Sequence, residues 1–278
     1  MSQITEQSSF SKPADSATDA TPELIIPSRF RGPSDSGNGG YVCGRIAAYV
    51  DGPVTVTLHR PPPLDTPMTV EPGGDGALRV RQGGVLIAEA TAAAYPPGLL
   101  APEIPDLVSM SEACRSAGRA RYFQDPFFPE CFVCGPNRGL GDGLRIFPGP
   151  VPGRMLWAAP WTPDSSIAGA DARVRPEMVW AALDCPSGIA AAEGASLDAD
   201  TAIVLGRMTA SVAALPMFGD QCRVIAWPDG GSGRKLTAGS VLLGPGGEVL
   251  AVARAVWLTV PRSVAELAAK GLTAGGTS

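Results

Sequence analysis

Along this chain the spacing of apolar positions switches from a helical to a strand period, and it does so twice in the same order. Residues 39–50, "GGYVCGRIAAYV", and 175–192, "RPEMVWAALDCPSGIAAA", are apolar on most sides of a helical wheel. Each reads as a helix buried on nearly every face. After each come runs of strand length, bounded by Gly and Pro. In the first half these are "VTVTLHRPPPLDTPMTV" (54–70), "LRVRQ" (78–82) and "GGVLIAEATAA" (83–93). In the second they are "IVLGRMTASVAALPMFGDQCRVIAW" (203–227), "LTAGSVLL" (236–243) and "GGEVLAVARAV" (246–256). The first run of each set is a strand, a proline-marked bend and a second strand.

Two copies of one unit are therefore predicted, each an apolar helix followed by four antiparallel strands. The segments "ELIIPSRFRG" and "GLRIFPGPVPGRMLWAAPW" offer a leading strand to each copy. A helix apolar all round needs a curved sheet wrapped about it, which makes the fold class α+β. The expected boundaries are a disordered polar tail at 1–22 and an N-terminal unit at 23–96. A linker at 97–125, with a short helix in "DLVSMSEACRSAG", joins it to a C-terminal unit at 126–263 and a tail at 264–278.

Composition narrows the partners. The 278 residues are 45% hydrophobic and 18% charged, enough for a real core, and Gly 34 with Pro 28 favours many turns over a helical bundle. A net charge of −5 argues against nucleic acid and against an anionic membrane. No apolar run reaches membrane-span length, and the first twenty residues lack a signal peptide's apolar core. A cytoplasmic protein with reduced cysteines is expected.

Cys131 and Cys134 form a CxxC. A structural zinc needs four ligands, usually a second such pair or added histidines. The sole histidine is His59, and Cys43, Cys114, Cys185 and Cys222 are scattered singly. Two buried or half-buried thiols framing a turn are expected, with no metal and no cofactor.

Asp184 is the unusual residue of the second helix. Pro176 suits the first helical turn and Glu177 the positive end of the dipole. Then Met178 to Leu183 run apolar, Asp184 interrupts them, and Pro186 is expected to stop or kink the helix. Such an acid either caps a turn near the helix end or carries chemistry. Other chemistries find little support. His59 has no GxSxG partner, and "GGSG" (230–233) lacks the residues of a phosphate loop.

The two-unit pattern resembles the hotdog fold, and two copies in one chain resemble a double-hotdog acyl-CoA thioesterase. "CFVCGPNRGLGDGLRIF" (131–147) is similar to the opening of PaaI-like thioesterases, and "VWAALD" (179–184) to their central helix with its acid. "SGNGGY" (36–41) is similar to their "HGG" helix start, with Asn38 where histidine would stand. The resemblance implies a pseudo-dimer of two tandem hotdog units and a site shared between them. One unit's helix start would offer backbone N–H groups to a thioester carbonyl, and the other's helix would offer a carboxylate.

In that family the acid follows the first glycine by eight positions. Eight positions after Gly39 stands Ala47, so the first helix has glycines and no acid. Eight before Asp184 stands Pro176, so the second has the acid and "RPE" in place of glycines. The halves are complementary, and one working site per chain is expected. Its catalytic members would be Asp184, Gly39, Gly40 and Asn38, although Asn38 also suits a helix cap. Asp184, partly desolvated, should have a raised pKa and act as base or as nucleophile. Tyr41, Trp180 and Ser187 are expected around the substrate, Ser187 either holding the water or serving as a turn hydroxyl, and Asn137 matches the family's opening only loosely. The implied substrate is an acyl-CoA or acyl-carrier-protein thioester, with room for a homodimer of such chains. The alternative is a non-catalytic acyl-thioester-binding protein, because "NGG" departs from "HGG".

Overall fold

The computed structural model describes residues 22–93, 104–105 and 107–263. The expected tails, save Pro22 of the first, lie outside the described residues, as do residues 94–103 and 106 around the expected linker.

The first unit comprises β1 (Glu23–Leu24), α1 (Gly39–Ala47), β2 (Val54–Leu58), β3 (Met68–Pro72), β4 (Leu78–Gln82) and β5 (Val85–Ala92). A short helix, α2 (Met110–Ala117), lies where a linking helix is expected and opens with a Ser109–Glu112 capping box. The second unit comprises β6 (Gly149–Pro150), β7 (Trp157–Trp161), α3 (Pro176–Gly194), β8 (Thr201–Val212), β9 (Cys222–Ser232), β10 (Lys235–Leu243) and β11 (Val249–Pro261).

The eleven strands of the described residues form one sheet in the order β1-β3-β4-β5-β2-β8-β11-β10-β9-β7-β6. Read inward from either edge, apart from the two-residue β6, the two halves have the same order of connection. The repeat seen in the sequence is thus a repeat of topology. The halves join where β2 pairs antiparallel with β8, from Val54↔Ala210 to Thr57↔Arg207. Thr55 and Thr209 face each other across this join with their hydroxyl oxygens 2.8 Å apart. α3 packs on β8–β11, α1 packs on β2 and β8, and the two helices pack on one another.

Two expectations change. The leading segments are mostly not strand: only Glu23–Leu24 and, in the second unit, Gly149–Pro150 and Trp157–Trp161 join the sheet. Proline explains it, since Pro148, Pro150 and Pro152 remove the ladder's N–H donors. The second change is that α3 does not stop at Pro186 but runs on to Gly194. An interior proline costs roughly 3 kcal/mol and leaves the carbonyl four residues earlier, here Ala182 O, without its helical donor. Here hydroxyls serve the neighbouring carbonyls: Ser187 Oγ donates to Asp184 O at 2.7 Å and Ser240 Oγ to Leu183 O at 2.8 Å. The following residues Ile189, Ala190 and Ala191 are buried, and that burial favours continuing the helix.

Candidate functional site

The site forms where α1 and α3 cross. Gly40 and Gly44 lie four apart, on one face of α1. A Cβ built on Gly40 would stand 2.4 Å from Asp184 Cβ and 2.7 Å from Trp180 O. One on Gly44 would stand 2.6 Å from Glu177 Cα. Only a glycine face lets the backbones approach this closely. The resemblance implies that Gly39 and Gly40 offer their N–H groups to a ligand; at Gly40 the space is filled by the other helix.

Asn38 caps α1: its Oδ1 accepts the Tyr41 N–H at 2.9 Å. Its Nδ2 donates to Asp184 Oδ2, also at 2.9 Å. The cap and the contact with the acid are thus two ends of one amide. Gly40 N–H donates to the same Oδ2 at 2.9 Å. Asp184 is only 2% exposed, and among the described residues its Oδ1 has no hydrogen-bond partner. Burial pushes its pKa from 3.8 up to about 7, against the Gly40 and Asn38 hydrogen bonds that favour the charged form. Asp184 lies in mid-helix, so it is not the end cap that the sequence also allowed.

A cavity of about 730 Å³ opens beside this carboxylate. That volume falls within the range of small-molecule sites. Asp184 and Gly39 line it together with Ile189, Leu205 and Trp257, and exposed Arg60 and Arg121 line it too. Gly39 opens α1 and carries the first of the N–H groups that have no acceptor within the helix.

Asn38, Gly39, Gly40 and Asp184 therefore come together from the two units. Three other expected residues do not face the substrate space. Tyr41 is buried with its ring stacked 4.0 Å from that of Phe30, and its hydroxyl accepts from Arg45. Trp180 is buried at the helix crossing instead of walling the cavity. The Ser187 hydroxyl, fully buried, donates to Asp184 O and accepts from Trp257 Nε1 at 3.0 Å. It supports the helix backbone and is not aimed at a water. Asn137 donates to Glu130 on an exposed loop, and His59 pairs with Glu89 at 2.8 Å just past the end of β2.

The "CFVC" opening is where the sequence reading missed most. Its backbone crosses to the first unit, Phe132 N–H donating to Arg31 O at 2.8 Å. The Phe132 ring meets those of Phe30 and Tyr41 edge-on. That docking carries Cys131 and Cys134 to the middle of α3, beside Asp184 and Cys185. The sulfurs of Cys131, Cys134 and Cys185 all lie within 4.8 Å of one another. Cys185 is thus not a scattered thiol. Its place directly after Asp184 was visible in the sequence; its neighbours were not.

No protein-family model matches the chain, and no curated protein matches it. Solved structures do. One named as a thioesterase II from Thermobifida fusca YX is similar over 86% of this chain and 91% of its own, at 14% identity and a TM-score of 0.54. The tesB protein of Mycobacterium avium subs paratuberculosis is similar over 82% of this chain and 89% of its own, at 13% identity and a TM-score of 0.50. Both overlaps run through both units, and the fold of this chain is that of the double-hotdog thioesterases.

Proposed function

We propose that the chain hydrolyses acyl thioesters at the Asp184 carboxylate. One observation carries the reading: a buried carboxylate has one oxygen held by Gly40 and Asn38 and the other unpartnered, beside a cavity at a helix start. Holding Oδ2 fixes the orientation of the group and leaves Oδ1 as the proton acceptor. A pKa near 7 suits a general base at neutral pH. The thioesterase names carried by the two structural neighbours agree with this reading.

A thioester carbonyl is less stabilised by resonance than an ester's, so neither a serine nucleophile nor a metal is required. Water attacks the carbonyl carbon while its proton passes to Asp184 Oδ1. The carbonyl π electrons move onto oxygen, and the resulting oxyanion is met by Gly39 N–H at the positive end of α1. Collapse of the tetrahedral intermediate breaks the C–S bond, and the proton on Asp184 leaves with the thiol. Gly40 has a different part from the one its sequence position implied: its N–H orients the base rather than the substrate. The apolar part of the cavity suits the acyl chain. Arg60 and Arg121 suit the phosphates of coenzyme A or of a carrier protein's phosphopantetheine.

The test is hydrolysis of a panel of acyl-CoA and acyl-carrier-protein thioesters, read by release of free thiol. Turnover of at least one substrate, lost in Asp184→Asn, is the expected result. Equal turnover by the two proteins would overturn the reading.

A further inference from the structure

The three thiols beside Asp184 serve no step of the proposed hydrolysis. We propose that Cys131, Cys134 and Cys185 form a binding site for a thiolate-seeking divalent ion, zinc by the chemistry of its donors. This reverses the expectation drawn from the single CxxC, because the third ligand comes from a helix more than fifty residues further along the chain.

One edge of the cluster has the length of a tetrahedral edge, and the third sulfur lies close to both its ends. Zinc–thiolate bonds of about 2.3 Å set neighbouring sulfurs of a tetrahedron about 3.8 Å apart. Cys131 Sγ and Cys185 Sγ are 3.7 Å apart, and Cys134 Sγ lies within 4.8 Å of both. The "CFVCG" turn is folded as a ligand-presenting knuckle. Gly135 N–H donates to Cys131 O at 2.8 Å, and a Cβ at Gly135 would stand 2.5 Å from that same oxygen. The tight turn therefore requires glycine directly after the second cysteine.

Donors for thiolates are already in place. Backbone N–H groups of Val133 and Cys134 reach Cys131 Sγ. Asn38 Nδ2 stands 3.9 Å from Cys131 Sγ and 3.7 Å from Cys185 Sγ. Outer partners of this kind orient metal ligands and tune their charge. On binding, each thiol gives its proton to solvent, so three thiolates with one divalent ion leave a net charge of −1. All three cysteines line the cavity. Water from that space can supply the fourth ligand.

The test uses the full chain, purified under reducing conditions with zinc sulfate present and then freed of loose metal by gel filtration. About one zinc per chain is expected by elemental analysis. Cobalt chloride in its place should give the intense near-ultraviolet absorption of sulfur-to-cobalt charge transfer. Cys134→Ser and Cys185→Ala should each lose both signals, while the exposed Cys114→Ser keeps them. Asn38→Ala should weaken zinc affinity about 10–100-fold, as loss of an outer partner does. Far-ultraviolet circular dichroism would confirm that each variant is folded, and Cys131→Ser provides a further ligand variant if one fails. Wild type holding no more zinc than folded Cys185→Ala would overturn the proposal. So would a Cys131–Cys185 disulfide in freshly isolated protein. Neither readout involves thioester turnover, so its failure and that of the hydrolase reading are separable.

Discussion

Gly40 N–H donates to Asp184 Oδ2 across 2.9 Å, from the helix start of one unit to the mid-helix acid of the other. This bond adds to the β2–β8 join between the units, and it forms only where α1 and α3 approach within the width of a missing side chain. Gly40→Ala should therefore damage the fold as well as the site. Its Cβ would stand 2.4 Å from Asp184 Cβ, with no flexible tip to move aside. Overpacking of this kind costs typically 1–3 kcal/mol, which denaturant unfolding would read. Gly74→Ala is the control, with nothing within 4 Å of its Cβ, and its effect should stay within roughly 0.5 kcal/mol.

Asp184→Asn should separate activity from stability. Turnover should drop by about 10²–10⁴-fold if the carboxylate is the base. The fold should gain. Asp184 holds its proton up to about pH 7 in the folded chain, against 3.8 for an unperturbed side chain. Between those values the native state binds more protons than the unfolded one, so wild-type stability falls as pH rises through this window. Asn does not titrate and keeps an oxygen for the Gly40 N–H. Its advantage over wild type should grow by roughly 2–3 kcal/mol from pH 5 to pH 8, read from unfolding at both. An advantage that shrinks with pH would contradict the burial of this group.

The pH–rate profile gives a second view of the same group. Only the ionised carboxylate accepts a proton, so kcat/KM should climb with pH and level off above a midpoint near 7. Asn38→Ala removes a hydrogen bond that favours the charged form and should move that midpoint upward. It also removes the α1 cap, at about 0.5–2 kcal/mol. A purely structural Asn38 would lower stability and leave the midpoint where it was.

What the sequence could reveal was local and periodic. β4 spans Leu78–Gln82, the same five residues that its pattern marks out, because a short alternating run between glycine turns has few other choices. The resemblance, through its eight-residue spacing, implied that Asp184 faces the α1 start, where Gly40 N–H meets it. Distant partners were not legible. Pro186 reads as a helix end until Ser240, on another strand, donates to Leu183 O. Tyr41 reads as a pocket residue until Phe30 stacks on it. Cys185 reads as a lone thiol until the "CFVC" segment docks beside it from 54 residues away. Each of these depends on a contact that periodicity does not encode.

The final prediction concerns the position related to Asp184 by the repeat. There α1 carries buried Ala47, and α3 begins with Pro176 and Glu177. Ala47→Asp restores the acid to the family spacing, yet it should build no second site. Pro176 has no N–H to offer where Gly39 has one. The Glu177 side chain, paired with Arg175 at 3.6 Å, would place a second negative charge at that helix start. The new carboxylate would lack the amide that Asn38 supplies to Asp184, since the matching residue is Arg175, whose Nε is already paired with Glu177. Ala47→Asp combined with Asp184→Asn should therefore stay as inactive as Asp184→Asn alone. It should also lose stability, because a charge is buried without matched donors. Pro176→Gly in the wild-type background should leave turnover unchanged, and a non-hydrolysable acyl-CoA analogue should titrate to about one per chain. Calorimetry giving two equivalent sites, or activity regained in the double variant, would show that both helix starts are competent and that the units are not divided as proposed.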